Sequence, residues 1–295
     1  MAKVSILMNG YNAQKYLKEA IDSVYTQTFS DWEIIFIDNC STDETKEIVE
    51  SYDDKIKYYK TEQNIPLGAA RNFGLDFCKG EYLAFLDTDD IWFKDKLEKQ
   101  ISIMESDKTI QLSYGGVEFI DAKGDSLGLG IPKATNENVF AHQLKRYEIN
   151  MQSVVIRNNI KIIMNDQLKH SPDYDLFMEI AAKYQVYVFK DIIVKYRKLS
   201  NSLTSKNIAY WGEEMQFTLD RLFENQSLKD KYRDYYDLAY AKVAYNKARY
   251  FMSIDQVKEA TQELSKYKFL DIKYFVAYFL SLFPKSIWNF VHSYR

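Results

Sequence analysis

The chain has 295 residues, 39 basic and 42 acidic side chains for a formal charge of −3, and is 46% hydrophobic and 27% charged. That balance excludes an intrinsically disordered or collagen-like chain and leaves no global basic field to hold nucleic acid. Ten Gly and four Pro speak against a turn-rich all-β fold, whereas 24 Tyr, 18 Phe and 4 Trp make 16% of the chain aromatic, an excess that needs a cause.

The first hundred residues alternate two periodicities. Val4 to Met8 is a short apolar run, and Ala13 to Phe29 carries Leu17, Ile21 and Val24 at helical spacing. Trp32 to Ile37 is a second run ending in Asp38-Asn39. Ser41 and Glu44 have the spacing of a capping box, which opens a helix through Ile48 and Val49. Ile56 to Tyr59 predicts a third strand, Leu67 to Cys78 a third helix and Tyr82 to Leu86 a buried strand running into Asp87-Thr88-Asp89-Asp90. Lys94 to Glu105 is helical again. This order calls for an α/β fold with a mainly parallel sheet covered by helices on both faces. In such sheets ligands bind at the carboxyl ends of the strands. The polar clusters Asn9 to Asn12, Asp38-Asn39 and Asp87 to Asp90 all fall at those ends.

Farther on, Gln111 to Ile120, Gln152 to Ile156 and Val186 to Val194 read as strands, Asp121 to Gly130 as turn and loop, and Asp173 to Lys183 as a helix. From about 207 the periodicity is helical throughout, which sets domains at 1–206 and 207–295. Cys40 and Cys78 do not make a disulfide framework; they read as small buried hydrophobes in a reducing compartment. The amino terminus lacks a signal-peptide pattern and no run of 18 apolar residues occurs, so the expected location is cytoplasmic.

The densest chemistry lies in Asp87-Thr88-Asp89-Asp90. Carboxylates at i and i+2 of an extended chain project to one side, and crowding them is unfavourable unless a cation sits between them. Hard oxygen donors suit Mg²⁺ or Mn²⁺ shared with a diphosphate. Alone, the same residues read equally well as an acidic turn capping the next helix. Asp38-Asn39 offers groups for a base or ribose, and Arg71 sits early in a helix, where it serves an anion or an ion pair. The three histidines and two cysteines have no zinc-ligand spacing.

In order and spacing, Val4 to Asn12, Asp38 to Asp43, Gly68 to Asn72, Gly80-Glu81-Tyr82 and Asp87 to Asp90 resemble the family-2 glycosyltransferases, densely over residues 3–105 and more thinly to about 205. The resemblance implies a GT-A fold, a Rossmann-like mixed sheet flanked by helices, with a C-terminal α-helical extension. It further implies an inverting, metal-dependent transfer from a nucleotide diphosphate sugar, UDP-linked, to a glycan or lipid-linked glycan of a bacterial surface polysaccharide. Asp87 and Asp89 match the two acidic residues of the DxD motif, Asp89 as metal ligand with Asp87 near ribose and metal. Asn9 and Tyr11 stand at the nucleotide, Tyr11 beside the base, and Arg71 is a basic residue near the nucleotide. Asn39 replaces the aspartate that reads uracil, although an amide can still accept from N3–H and donate to O4. Asp173, in His170-Ser171-Pro172-Asp173-Tyr174-Asp175, takes the place of the catalytic base, with Asp175 behind it; as plain residues both also read as first-turn helix decoration. Tyr196-Arg197-Lys198-Leu199-Ser200 matches a segment whose histidine is Leu199 here, which leaves Arg197 and Lys198 to neutralise charge.

Two other readings compete. An Asp-nucleophile phosphatase also places Asp-x-Asp after an apolar strand, but it leaves Asp38-Asn39 and Arg71 unexplained. A non-catalytic glycan- or nucleotide-binding scaffold draws on the replacements Asn39, Pro172 and Leu199. In the tail, Ile272, Phe275, Val276, Phe279, Leu280 and Phe283 form one apolar stripe and Ile287, Phe290, Val291 and Tyr294 another. Residues 266–295 carry a net +4, so with Trp288 the tail reads as a peripheral membrane contact, as a hairpin packed on the catalytic domain, or as a homodimer interface.

Overall fold

A computed structural model describes residues 1–199 and 208–292. Ser200, the 206/207 boundary and the side chains of Phe290, Val291 and Tyr294 lie outside what is described. The chain forms two compact units, one of Met1–Val139 with Glu148–Ser200 and one of Phe140–Tyr147 with Asn201–Arg295.

The first unit is built on β1 (Val4–Gly10), α1 (Gln14–Tyr25), β2 (Trp32–Asp38), α2 (Thr45–Glu50), β3 (Ile56–Lys60), α3 (Leu67–Leu75), β4 (Tyr82–Phe85), β5 (Ile91–Trp92), α4 (Lys96–Ser106), β6 (Ile110–Ile120), β7 (Ser126–Gly130), β8 (Val155–Arg157), α6 (Pro172–Lys183) and β9 (Gln185–Arg197). Between β7 and β8 lie α5 (Val139–Lys145) and a 3-10 turn, Met151–Ser153. The sheet runs β3-β2-β1-β4-β8-β6-β9-β5, with β7 on β6. Strands β1 to β4 are mutually parallel, β8 is antiparallel to β4 and β6, and β9 runs parallel to β6.

Successive residues of the central strands are buried on opposite faces, which is why their apolar runs are continuous. Val4, Ile6 and Met8 face Leu17, Ile21 and Val24 of α1 within one core that also takes Leu97 and Ile101 of α4. Leu7 and Ile37 face α3, where Gly74 permits the approach: a Cβ there would lie 2.4 Å from Leu7 Cδ1. On the same side Phe85 meets Phe177 of α6 with ring centroids 6.4 Å apart. Each large apolar side chain buried this way contributes about 1.5–3 kcal/mol. Gly80 allows β4 to start beside β1, since a Cβ there would sit 2.6 Å from the Ser5 backbone nitrogen.

Four local expectations change. Helix α1 stops at Tyr25 instead of Phe29, because Gln27 Nε2 and the Thr28 backbone N–H donate to Phe93 O and Lys94 O across the chain, both at 2.9 Å. The Gly-rich stretch expected as loop contains the edge strand β7, reached through a turn with Gly124 at φ +93°. Its side chains are largely exposed, so no burial pattern announced it. Residues 152–153, expected in a strand, form the 3-10 turn, capped by Asn150 Oδ1 accepting from the Gln152 N–H. Ser41 and Glu44 make no capping box: α2 begins without a side-chain cap, and Ser41 bonds elsewhere.

The second unit is helical: α7 (Ile208–Phe223), α8 (Gln226–Lys231), α9 (Arg233–Ser253), α10 (Val257–Ser265), α11 (Ile272–Ser281) and α12 (Lys285–His292), with α5 and its flank. Ala248, Met252, Ala260, Leu264, Ala277 and Trp288 form its core. Trp288 is thus an interior anchor, not the membrane-facing ring the tail composition suggested. The stripe on α11 is the reverse: Ile272, Phe275, Val276 and Phe279 are exposed, while Tyr274, Ala277 and Ser281 face inward. Among the described residues no helix is long and apolar enough to cross a membrane.

Candidate active site at the strand ends

The neighbouring parallel strands β2, β1 and β4 end together, which brings Asp38-Asn39, Asn9 to Tyr11 and Asp87 to Asp90 to one edge of the sheet. The loops after β1 and β2 are stitched to each other. The Asn12 N–H donates to Ser41 Oγ at 2.9 Å, Thr42 N–H to Asn12 Oδ1 at 2.9 Å, Ala13 N–H to Thr45 Oγ1 at 2.8 Å and Gln14 N–H to Asp43 Oδ2 at 3.1 Å. Two non-glycine residues with positive φ lie in these loops, Asn12 at 51° and Cys40 at 69°. Such conformations cost of order 1 kcal/mol and persist where the surroundings hold them. The loops project Tyr11, 55% exposed, at the end of β1. Cys40 is half-buried and Cys78 buried, both free thiols; burial pushes Cys78 up to about 12.

Asp38 is fully buried. Its Oδ1 accepts from the Ser41 N–H at 2.7 Å, its Oδ2 from the Tyr58 hydroxyl at 2.5 Å, and Lys60 Nζ stands 3.9 Å away. Asn39 Oδ1 accepts from Thr61 Oγ1 at 3.1 Å and the Ile65 N–H at 3.0 Å, and its Nδ2 donates to Ile65 O at 2.8 Å. Both lone pairs of that amide oxygen are therefore spent on residues 61–65, and one N–H remains for a ligand. This pair fixes the loop after β3 to the end of β2.

Asp87 is gripped from two sides. Arg71, nearly buried in α3, donates from Nη2 to Oδ1 at 2.9 Å and from Nε to Asn9 Oδ1 at 3.4 Å. Gln152 donates from Nε2 to Asp87 Oδ2 at 2.5 Å and accepts the Asp87 N–H at 2.7 Å through Oε1, while its own carbonyl takes the Trp92 indole N–H at 3.0 Å. The 3-10 turn displaces Gln152 from strand geometry and puts this amide beneath the acidic loop. Sequence reading missed it, since a lone glutamine in an apparent strand carries no signal.

Two residues on, Asp89 lies half-buried. Burial and then the Asp87 charge push its carboxyl up to about 6. Asp90 is almost wholly buried, and desolvation together with Asp89 and Asp87 raises it further. Its Oδ1 accepts the Arg197 N–H at 2.7 Å, while its Oδ2 has no partner. Asp90 therefore ties the loop after β4 to the end of β9 through the Arg197 N–H. Among the described residues no group of three or more His, Cys, Asp and Glu converges. Asp87 and Asp89 offer oxygen donors that a divalent cation could use, and a cation there would offset both the burial and the Asp87 charge that raise Asp89.

Asp173 sits in the first turn of α6, next to Pro172 at the helix start. Burial raises its carboxyl, Arg71 opposes the rise and Asp87 adds to it, which places Asp173 within electrostatic reach of the Arg71–Asp87 pair. Asp175 is buried one step along the helix. Arg197 lies against the acidic loop: only 3% exposed, it donates to Asp89 O at 2.9 Å, Asp121 O at 3.2 Å and Glu19 at 2.6 Å. Lys198 Nζ lies over the Phe119 ring at 4.0 Å.

The sequence profile of glycosyl transferase family 2 matches residues 5–167. Three relatives are similar over most of their length or of this chain. An uncharacterized glycosyltransferase of Methanocaldococcus jannaschii is 34% identical over 203 residues, 66% of this chain and 70% of that one. The putative teichuronic acid biosynthesis glycosyltransferase TuaG of Bacillus subtilis is 32% identical over 207 residues, 68% of this chain and 81% of TuaG. An uncharacterized glycosyltransferase of Haemophilus influenzae is 31% identical over 248 residues, 82% of this chain and 96% of that one. The chain spans only 36% of a longer relative from Rickettsia felis. Among solved structures, Staphylococcus aureus TarS 1-349 with UDP superposes with a TM-score of 0.67 at 20% identity, covering 89% of this chain and 78% of that one. The mannosyltransferase PcManGT of Pyrobaculum calidifontis, in complex with GDP-Man and Mn²⁺, gives 0.63 at 15% identity, covering 99% and 84%.

Proposed function

Because the chain belongs to glycosyl transferase family 2, and is a glycosyltransferase with a GT-A fold, we propose that it performs an inverting, metal-dependent transfer of a sugar from a nucleotide diphosphate sugar to a hydroxyl of a surface glycan. Family membership sets aside the phosphatase and the non-catalytic scaffold. One observation carries the proposal: two carboxylates at the end of β4, one clamped by Arg71 and Gln152 and the other raised by burial and the Asp87 charge, within electrostatic reach of a first-turn aspartate on α6.

Asp89, with Asp87, would hold Mn²⁺ or Mg²⁺. Bound there, the cation supplies Lewis-acid stabilisation of charge on the departing diphosphate. The relatives' printed complexes, UDP and UDP-GlcNAc for TarS and GDP-Man with Mn²⁺ for PcManGT, support a nucleotide donor and a divalent metal. We take UDP as the donor nucleotide. The base lies by Tyr11, with the spare Asn39 N–H donating to a base carbonyl and Asp38 keeping the loops in place. Asn9 orients Arg71, and Arg71 fixes Asp87.

Asp173 accepts the proton of the acceptor hydroxyl as that oxygen attacks the anomeric carbon and the bond to the diphosphate breaks. Its raised affinity for protons brings it nearer the working pH, which favours general-base action. Inversion then turns an α-linked donor into a β-linked product. The acceptor is a glycan or lipid-linked glycan, a reading supported by the teichuronic acid assignment of TuaG. We place this chemistry in residues 1–206, at the cytoplasmic side of a cell envelope.

The test is Asp173→Asn. Nucleotide-sugar affinity in Mn²⁺ stays within about twofold of wild type while transfer falls at least about 100-fold. Equal loss of binding and transfer, or unimpaired transfer, rules out the base assignment.

A further inference from the structure

The α11 face has the wrong sidedness for a core helix. Ile272, Phe275, Val276 and Phe279 recur at i, i+3, i+4 and i+7, and Phe269 before the helix and Leu282 after it continue the line. Their exposure runs from 42% at Val276 to 83% at Phe269. The unit already has its own core in Ala248, Met252, Leu264, Ala277 and Trp288, so this stripe is surplus to folding. Surface apolar residues scattered singly need no explanation, but a contiguous line of this kind marks an interaction site.

The charges around the stripe favour one kind of occupant. Lys266 and Lys273 are exposed, and Lys268 lies between them with its Nζ 5.2 Å from the Phe269 ring centroid and 4.7 Å from that of Tyr278. Two carboxylates lie among them, Asp271, which caps α11 by accepting the Lys273 N–H at 2.9 Å, and Glu263, which pairs with Lys266 at 3.6 Å, so the three lysines outnumber the acids. Two copies of this face brought together would set lysines against lysines. An anionic surface meets them with opposite charge while taking up the apolar line.

We propose that α11 and the turn before it form a docking surface for an anionic phospholipid bilayer, with Phe269, Ile272, Phe275 and Phe279 entering the headgroup boundary and Lys266, Lys268 and Lys273 at headgroup level. The helix lies in the plane of the interface. At ten residues it is about 15 Å long, half of what a spanning helix needs. Apolar insertion and lysine attraction act together, so neither alone holds the chain firmly.

The experiment is co-sedimentation of the full chain with vesicles of neutral phosphatidylcholine or of phosphatidylcholine with about 30% phosphatidylglycerol. The chain pellets with the anionic vesicles, fails to pellet with neutral ones and is released in about 0.5 M salt. The double variant Phe275→Ser, Phe279→Ser loses at least about 10-fold in partition while its circular dichroism is unchanged, because both side chains are exposed and lie outside the unit's core. Replacing Lys266, Lys268 and Lys273 by Gln costs about 100-fold. Equal binding to neutral vesicles, no binding at all, or undiminished binding of the serine variant overturns the proposal. So does a concentration-dependent dimer in sedimentation velocity that the serine variant abolishes, since it assigns the face to a second copy. None of these readouts depends on sugar transfer, so they stand or fall apart from the enzymatic reading.

Discussion

Two acidic strand ends sit one strand apart in the same sheet, and they solve the problem of burying a carboxylate in opposite ways. At the end of β2, Asp38 has each oxygen taken by the chain, from Ser41 and Tyr58, and Asn39 is likewise absorbed by residues 61–65. At the end of β4, Asp87 is held but Asp89 is left with a neighbour's negative charge and a carboxyl raised to about 6. The first arrangement is satisfied but for one Asn39 N–H and stabilises; the second keeps two carboxylates close together at the place proposed for the cation. Similar residue types at strand ends are therefore placed differently: one fixes the loops around it, and the other is the proposed seat of the cation.

That contrast yields a double dissociation. Asp89→Ala should cut Mn²⁺-dependent affinity for a nucleotide sugar by at least about 100-fold in calorimetry and leave the melting temperature of the metal-free protein unchanged or higher, because a strained carboxylate is removed. Asp38→Ala should do the reverse in kind. Losing two buried charge-assisted hydrogen bonds costs about 2–4 kcal/mol in denaturant unfolding, with metal affinity changed less than tenfold in the fraction that folds. If Asp38→Ala abolishes metal-dependent binding in folded protein, the two ends are not separable and the contrast is wrong.

The smallest effect lies far from the site. Lys108 and then the Tyr82 hydroxyl hold the Glu105 carboxylate down to about 2. A depressed carboxylate stabilises above its unfolded pKa and stops doing so as pH falls through the folded value. Glu105→Gln should thus cost under about 1 kcal/mol at neutral pH, given how exposed the group is, and nothing near pH 2. A cost that grows on acidification contradicts this.

The parallel half of the fold was legible because β1, β2 and β4 are buried on both faces and write continuous apolar runs, with the half-exposed β3 at the edge. The acidic loop was legible for a chemical reason, the spacing of Asp87 and Asp89. What escaped was whatever depends on a bond to a distant residue. Ser41 reads as a helix cap and bonds instead to Asn12, twenty-nine positions away. Gln152 reads as one more strand residue and instead supports Asp87. Arg197 reads as a charge set against the diphosphate, and nothing in the sequence hints that it also joins Asp89 O, Asp121 O and Glu19. In the tail, hydrophobic periodicity located the helix but not which side of it faces water, because Trp288 and Ala277 had already filled the interior.

The aromatic excess has a consequence of its own. Several tyrosines are bolts between elements: Tyr25 donates to Asp53 at 2.5 Å, Tyr52 to Asp22 at 2.7 Å, Tyr58 to Asp38 at 2.5 Å, Tyr82 to Glu105, and Tyr240 to Asp220 at 2.5 Å. Burial, and then the accepting carboxylate, keeps each of these phenols protonated beyond the ordinary range. In an alkaline spectrophotometric titration the phenolate absorbance of these five, like that of the buried Tyr174 and Tyr274, should therefore appear only as the elements around them let go.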